Sequence, residues 1–206
     1  MPDGHSFSSG QAAGDGWSAE AFARQLDPLL PAGWSAEAVE FELDTARTVL
    51  LPEALTDNDS AARCLALNNL FPEAWESVVV MHSPGGEIAA AALWNRAEAE
   101  YLRERFGRAL SFASPLLRFT WRAGRCLSLH LTGANVYICA FEGKMKYGAV
   151  FPAASPADTL YYMETLGEIY PADEWPVRVS GPGARETVKA IRRYFGRVDV
   201  KVEEVR

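Results

Sequence analysis

The stretch that decides the fold is residues 125–204, RCLSLHLTGANVYICAFEGKMKYGAVFPAASPADTLYYMETLGEIYPADEWPVRVSGPGARETVKAIRRYFGRVDVKVEE. Its first part predicts three successive strands, Cys126–Thr132, Val136–Phe141 and Met145–Phe151. The first alternates leucines with small or polar residues, which is typical of a half-buried strand, and the second is apolar on both faces, as a central strand is. Glycine-containing turns, the second at Gly143, separate the strands. We therefore expect an antiparallel meander.

The rest of this stretch predicts a helix, a strand, a helix and a closing edge strand. Ser155 is a helix N-cap, with Pro156 at the first helical position and Asp158 at the third, where an acid suits the helix dipole. A strand at Trp175–Val179 and a helix ending at Gly196 follow. The resulting order, strand-strand-strand-helix-strand-helix-strand, is that of a ribonuclease H-like half-domain, the unit duplicated in actin-like ATPases.

The preceding residues predict a smaller, mixed α/β region. Short helices are expected after Ser18, over Ser60–Leu70, from the Asn95 cap to Phe106, and from Ser114 to Trp121. The strands are expected at Ala38–Leu43, Arg47–Leu51, Val78–His82, Glu87–Trp94 and Leu110–Ala113. We expect an α/β chain of the actin-like ATPase fold with two small lobes, each a mixed sheet with flanking helices. We expect residues 1–16 to form a disordered tail, residues 17–123 a reduced first lobe that lacks the opening hairpin, and residues 124–206 the second lobe.

Composition, net charge and residue spacing argue against several classes of function. The 206 residues carry a net charge of −7, which argues against a nucleic-acid binder, because such proteins concentrate lysine and arginine. The N-terminus lacks signal-peptide regions and no run of 18 apolar residues occurs, so we expect a cytoplasmic protein without membrane insertion. The three cysteines and three histidines show no metal-ligand spacing. The basic residues of the last helix are interpreted as a solvated face.

Several of these features together resemble a known family. The run GKMKYGAVFPAASPADTLYYMETLGEI, with Asp158 before Leu160, Tyr161 and Tyr162, and the later Ser180-Gly181 resemble domain-of-unknown-function family 3822, a bacterial family seen mainly in the Bacteroidetes. The resemblance covers roughly residues 38–202. It implies an actin-like, two-lobed ribonuclease H-like fold without an established activity.

The candidate binding residues lie in two turns of the second lobe. Actin-like ATPases wrap phosphates with glycine-containing hairpin turns and hold Mg²⁺ through acids. Here the turns offer six candidates, Thr132, Gly133, Asn135, Ser180, Gly181 and Gly183. The second turn has an alternative interpretation, a strand-to-helix connection that needs glycine for its backbone angles. No acid accompanies the first turn, so we predict no metal site and no catalytic residue.

Two functions remain open. We favour a non-catalytic actin-like module that binds a protein partner, because the acids and the opening hairpin are missing. Tyr161 and Tyr162 cannot both face inward: one packs, and the other is a candidate for an interlobe groove or partner surface, although core filling is the more usual role of such residues. The alternative is a nucleotide-binding ATPase or kinase-like enzyme that uses ATP and Mg²⁺, with unusual ligands drawn from Asp44, Glu142 or Asp158.

Overall fold

The computed structural model describes residues 19–29, 38–119 and 121–204. The chain forms two compact units that divide between Ser114 and Pro115. The predicted lobe boundary, after residue 123, falls inside the first strand of the second unit. The predicted tail, residues 1–16, lies outside the described residues. No helix within the described ranges has the length and apolar character needed to cross a membrane.

The first unit contains three α-helices and five strands among its described residues. The helices are α1 (Ala19–Leu26), α2 (Asn58–Leu67) and α3 (Arg96–Phe106), and the strands are β1 (Val39–Glu42), β2 (Thr48–Pro52), β3 (Glu76–His82), β4 (Ile88–Asn95) and β5 (Leu110–Ala113). These strands hydrogen-bond as two sheets, a parallel pair β1-β5 and an antiparallel sheet ordered β2-β4-β3. A turn separates β1 from β2, because the Thr45 carbonyl accepts from the Thr48 hydroxyl at 2.9 Å.

Side-chain caps and small core residues explain where the helices of this unit lie. Asn95 Oδ1 accepts a hydrogen bond from the Glu98 N–H at 3.2 Å, which starts α3 at the predicted cap. Asp57 likewise caps α2 by accepting from the Ser60 N–H at 2.9 Å. The central strand β4 carries four consecutive buried alanines, 89–92. The small side chains of Ala89 and Ala91, on one face of the strand, let α2 pack closely through Ala61 and Leu65.

The second unit is a mixed sheet with two helices. Its elements are β6 (Trp121–Leu131), β7 (Asn135–Pro152), α4 (Pro156–Leu166), β8 (Val177–Ser180), α5 (Ala184–Phe195) and β9 (Val200–Val202). The strand order is β7-β6-β8-β9, with β7 antiparallel to β6, and with β8 and β9 parallel to it. The sheet edge at β9 agrees with the predicted closing edge strand. Met163 of α4 and Val188 and Ile191 of α5 pack on the sheet in one core.

Strand β7 covers two of the predicted strands. It is continuous over 18 residues, which would span about 60 Å if it were straight. However, the Ala153 N–H donates to the Ala134 carbonyl at 2.9 Å, so the chain between them doubles back on itself. Gly143, with a φ of 70°, lies near the midpoint and supplies the left-handed backbone that a tight reversal needs. The predicted turn is therefore present inside one continuous hydrogen-bonded element.

The predicted helix from Ser114 to Trp121 is wrong. Only a short 3-10 turn forms, over Pro115–Leu117, and β6 begins at Trp121. The turn is fully buried, and the Cys139 thiol of the sheet approaches the Leu116 carbonyl. The next residues pair with the reversal in β7, with Arg122 opposite Gly143. Tertiary strand pairing thus overrides the local helix-start signal.

Candidate functional site

The six predicted binding residues lie at one edge of the second unit's sheet. Strands β6 and β8 are parallel, with His130 in register with Ser180, so their carboxyl ends meet at the same edge. The turn that follows β6 contains three of the candidates, and the turn that follows β8 contains the other three. Ligands of open α/β sheets bind outside the carboxyl ends of the strands. This edge is therefore the place to look for a site.

The first turn is held by its own threonine. The Thr132 N–H donates to the Asn135 carbonyl at 3.1 Å, and the Asn135 N–H donates to the Thr132 hydroxyl oxygen at 3.1 Å. Asn135 itself is buried. Gly133, at the exposed tip, has a φ of 96° and open space around its α-carbon. Thr132 and Asn135 therefore shape the turn, and Gly133 is the residue that it presents.

The second turn divides in the same way between structural and presented residues. The Ser180 hydroxyl is buried, lies 2.9 Å from His130 Nδ1 and donates to the Leu129 carbonyl at 3.4 Å. Gly181 lies against the backbone of Leu131 so closely that no side chain fits there. Gly183 has a φ of 75°, open space around it, and the N-cap position of α5. Ser180 and Gly181 hold the second turn against β6, whereas Gly183 faces an opening.

That opening is a cavity of about 400 Å³, within the size range of small-molecule sites. Gly133 and Gly183 are the two predicted residues that line it. The starts of both helices of the unit supply further lining residues, namely Ser155, Pro156 and Thr159 at α4, and Glu186 and Thr187 on α5. Leu131, Ala153, Ala154 and Pro182 complete the lining. Backbone N–H groups are unsatisfied at the start of a helix, where the dipole is positive. The start of α4 is capped by the side chains of Ser155 and Asp158, whereas the start of α5 at Gly183 has no side-chain cap. The start of α5 therefore favours a ligand with an anionic or hydrogen-bond-accepting group.

Thr159 is the residue of this cavity that the sequence did not reveal. Its side chain is 1% exposed, and its Oγ1 has no hydrogen-bond partner among the described residues. Leaving a buried hydroxyl unpaired costs roughly 1–3 kcal/mol. The only sequence signal for it is its position one turn after the Ser155 cap, which places it on the cap's side of α4.

The carboxylate of Asp158, next to the cavity, takes part in the N-terminal cap of α4. Asp158 Oδ2 accepts from the Ala154 N–H, the Ser155 N–H and the Ser155 hydroxyl at 2.9–3.0 Å. Hydrogen bonds from the Ser155 hydroxyl and backbone lower the pKa of this carboxyl group. The predicted structural role of Asp158 in a capped helix is therefore present, in the reciprocal form of a capping box.

The residues of the cavity do not fit a magnesium site. Glu186 is the one carboxylate among the lining residues, and it is exposed. Of the alternative ligands, Glu142 accepts from Arg125 Nε at 2.9 Å, and Asp44 is buried in the first unit. Across the described ranges, no group of three or more His, Cys, Asp or Glu side chains is arranged to hold a metal ion. Mg²⁺ takes oxygen ligands in octahedral geometry, and this cavity offers one charged oxygen donor.

Comparison with solved structures shows the fold. A Bacteroides thetaiotaomicron protein with an actin-like ATPase fold and unknown function matches with a TM-score of 0.73 at 13% identity, over 93% of this chain and 78% of that one. The PilM–PilN type IV pilus biogenesis complex matches with a TM-score of 0.48 at 13% identity, over 89% and 74%. An AlfA filament bound to AMPPNP matches with a TM-score of 0.38 at 13% identity, over 79% and 52%.

No protein-family model matches the chain, and no curated protein is significantly similar to it. The likeness to the Bacteroides thetaiotaomicron protein covers nearly the whole chain and confirms the predicted actin-like ATPase fold. At 13% identity it shows the fold alone.

Proposed function

We propose that the chain is an actin-like module that acts by binding another protein, without nucleotide turnover. The observation that carries this proposal is a set of exposed side chains on and next to α4 and α5, which we call the aromatic patch. It consists of Tyr161 on α4, Ile169 just after α4 and Tyr194 on α5, which are 65%, 68% and 55% exposed. Exposed apolar patches mark protein interaction sites, and tyrosine is enriched among the residues that dominate binding energy.

The two tyrosines of the aromatic patch are held in place before any partner binds. Tyr162 stacks on Phe151 with ring centroids 4.4 Å apart, and the Tyr161 ring meets Tyr162 edge-on at 5.3 Å. This agrees with the prediction that one of the two adjacent tyrosines packs and the other lies at a surface. The Tyr194 hydroxyl donates to the Glu164 carboxylate at 2.9 Å, which links α5 to α4. Ordered side chains lose less entropy on binding, so such a patch favours association.

We also propose that the chain belongs to domain-of-unknown-function family 3822. The residues behind that resemblance include Tyr161, which is exposed, and Asp158, which caps α4. The resemblance implies no established activity, and this is consistent with a module that acts through binding.

A second candidate function is the binding of a nucleotide or another anionic small molecule in the cavity. The specific observation that favours it is the unpartnered hydroxyl of Thr159 beside two helix starts. Phosphate oxygens accept hydrogen bonds from such groups. This candidate requires binding only, because the cavity residues do not hold a metal ion.

Site-specific photocrosslinking tests the proposed function. A photoreactive phenylalanine analogue replaces Tyr161 in one protein and Lys146, an exposed residue of β7, in a matched control. In an extract of the source organism, we expect the analogue at position 161 to crosslink one protein in a stoichiometric amount. Y194A should weaken this crosslinking, and the analogue at position 146 should not capture the same protein. Equal capture at both positions would contradict the proposal.

Thermal shift and turnover assays separate the two candidates. A ligand present at 100 times its Kd adds about 2.7 kcal/mol to the free energy of unfolding. We expect no ATP hydrolysis by the purified protein. If ATP stabilises the wild-type protein and T159V abolishes this stabilisation, the second candidate function is established. Hydrolysis of ATP in the presence of Mg²⁺ would refute the proposed function.

A further inference from the structure

The edge strand β9 is attached to its sheet with little apolar burial. It is three residues long, and Val200 is the one residue of the strand that is buried. Lys201 and Val202 are exposed, Val202 by 43%. Burial of apolar surface is the main force that holds an element in a fold. The attachment of β9 therefore depends on other contacts to an unusual degree.

The backbone pairing of β9 with β8 is correspondingly short. The Val177 N–H donates to the Asp199 carbonyl, and the Glu203 N–H donates to the Val179 carbonyl, both at 2.7 Å. Because β9 is the last strand in the sheet order β7-β6-β8-β9, it has this one strand neighbour. Solvent reaches hydrogen bonds at a sheet edge more easily than those in the middle of a sheet.

Three arginines supply most of the remaining contacts to β9 and the residues beside it. Arg122 of β6 donates to both oxygens of the Glu203 carboxylate, at 2.6 and 2.8 Å. Arg178 of β8 donates to Asp199 Oδ2 at 3.1 Å. Arg192 of α5 donates to the carbonyl of the first residue of β9 at 2.8 Å. Charged side chains thus hold the strand from the sheet on one side and from the helix on the other.

The two ion pairs among these contacts are open to salt. Arg122 and Arg178 line a cavity of about 530 Å³, so dissolved ions can reach their guanidinium groups. The carboxylates of Asp199 and Glu203 are 47% and 27% exposed. Exposed ion pairs are weakened by salt, and charges interact over only about 3 Å at 1 M ionic strength.

We propose that β9 is a strap that these arginine contacts hold at the sheet edge, and that it opens separately from the rest of the second unit. Segments with few buried apolar contacts open at a lower free energy than the core of their domain. Opening breaks both backbone bonds to β8 and leaves the Val177 N–H and the Val179 carbonyl unpaired. Such an edge is a template for pairing with another strand. Ionic strength therefore controls whether this edge of the sheet is covered.

Amide hydrogen exchange of the full chain, followed by NMR, tests the inference. The Val177 N–H reports on β9, because its acceptor is the Asp199 carbonyl. The Leu127 N–H is the internal control, because its acceptor is the Pro176 carbonyl, outside β9. After correction for intrinsic rates, we expect Val177 to exchange at least tenfold faster than Leu127. Raising NaCl from low concentration to about 1 M should accelerate Val177 at least threefold and leave Leu127 unchanged.

A pair of variants separates the ion pairs from net charge. D199N/E203Q removes the two carboxylate charges and keeps the shapes of the side chains. The matched control, E142Q/E168Q, makes the same change in net charge at two exposed acids outside β9, and it also removes the partner of Arg125. We expect D199N/E203Q to accelerate Val177 exchange at least tenfold and to abolish its salt dependence. In the control, the rate should stay within threefold of wild type.

Three results would overturn the inference. The first is equal acceleration of Val177 and Leu127 in D199N/E203Q, which would mean that β9 leaves only when the whole unit unfolds. The second is an unchanged Val177 rate in that variant, which would mean that the backbone bonds and Val200 hold the strand without the ion pairs. The third is a Val177 rate in the wild-type protein that is no faster than that of Leu127 at either salt concentration. This last result is decisive even if D199N/E203Q does not fold.

Discussion

The backbone of Gly181 packs directly against that of Leu131: a β-carbon at position 181 would lie 2.0 Å from the Leu131 carbonyl oxygen. Gly181 also has a φ of 91°, which side chains rarely adopt. Because the clash is with backbone and not with a flexible side chain, G181A must displace β6 from the β8 turn. We expect it to lower the free energy of unfolding by roughly 3 kcal/mol or more, from a steric clash added to backbone strain, as measured by urea denaturation.

Gly133 provides the matched control for that substitution. It has a similar φ of 96° but open space where a β-carbon would lie. G133A therefore carries only the conformational cost, roughly 1–2 kcal/mol. If both substitutions cost the same, close packing at Gly181 is refuted, and the second turn regains its interpretation as a ligand-binding loop.

The ion pair between Arg122 and Glu203 anchors the chain after β9 to the start of β6. Arg122 donates two hydrogen bonds to the Glu203 carboxylate, at 2.6 and 2.8 Å, and stacks over the Phe119 ring at 4.0 Å. The side chains are 14% and 27% exposed, so water screens the pair only in part. We expect a double-mutant cycle with R122M and E203Q to give a coupling free energy of about 1–3 kcal/mol.

The pair of Arg125 and Glu142 is the control for this cycle. Its nitrogen–oxygen distance is 2.9 Å, but its side chains are 54% and 49% exposed. Exposed pairs contribute about 0–1 kcal/mol. A coupling at Arg122–Glu203 no larger than that at Arg125–Glu142 would contradict the assignment of burial as the cause of the difference.

A buried acid makes the stability of the first unit depend on pH. Glu98 is 3% exposed, and burial raises the pKa of its carboxyl group to about 7, an effect that the Trp94 indole N–H partly opposes. Neither Glu98 Oε2 nor Trp94 Nε1 has a hydrogen bond of standard geometry among the described residues. The carboxyl group is therefore protonated in the folded state at pH values where the unfolded chain ionises it.

The sign of the effect follows from proton counting. Between about pH 4.5 and pH 7 the folded state binds the proton that the unfolded state has lost, so the free energy of unfolding falls as pH rises. Below this window both states are protonated, and above it both are ionised. We expect E98Q to remove this slope and to be more stable than wild type at pH 8 by roughly 2–3 kcal/mol. Parallel pH profiles for the two proteins, from urea denaturation, would contradict this.

Local signals in the sequence were sufficient to place helix starts. Asn95 and Ser155 were predicted as caps, and in the structure each accepts the backbone hydrogen bond that defines a cap. The partner of a cap is three residues away, so a short window of sequence contains the whole interaction. The same window failed at Ser114, where Pro115 begins only a buried 3-10 turn, because strand pairing with a distant residue decided the outcome.

Features that depend on distant residues could not be predicted. Arg122 and Glu203 are 81 positions apart, and no periodicity relates them. The cavity at Gly133 and Gly183 exists because parallel pairing of β6 and β8 brings two turns to one sheet edge. The sequence indicates both turns. Only the strand pairing determines that Gly133 and Gly183 line the cavity, whereas the backbone of Leu131 covers Gly181.

The last prediction concerns Thr159, whose hydroxyl is buried at the cavity without a partner. Valine has nearly the same shape and no polar group, so T159V removes the unpaired hydroxyl while keeping the packing of α4. We expect the unliganded protein to gain about 1 kcal/mol in the free energy of unfolding.

The neighbouring substitution S155A supplies the opposite control, because it removes the capping hydroxyl and costs about 1 kcal/mol. A loss of stability in T159V would mean that the hydroxyl is satisfied in the folded protein, by water in the cavity. In that case the Thr159 hydroxyl already has a hydrogen-bond partner, and it no longer supports the second candidate function.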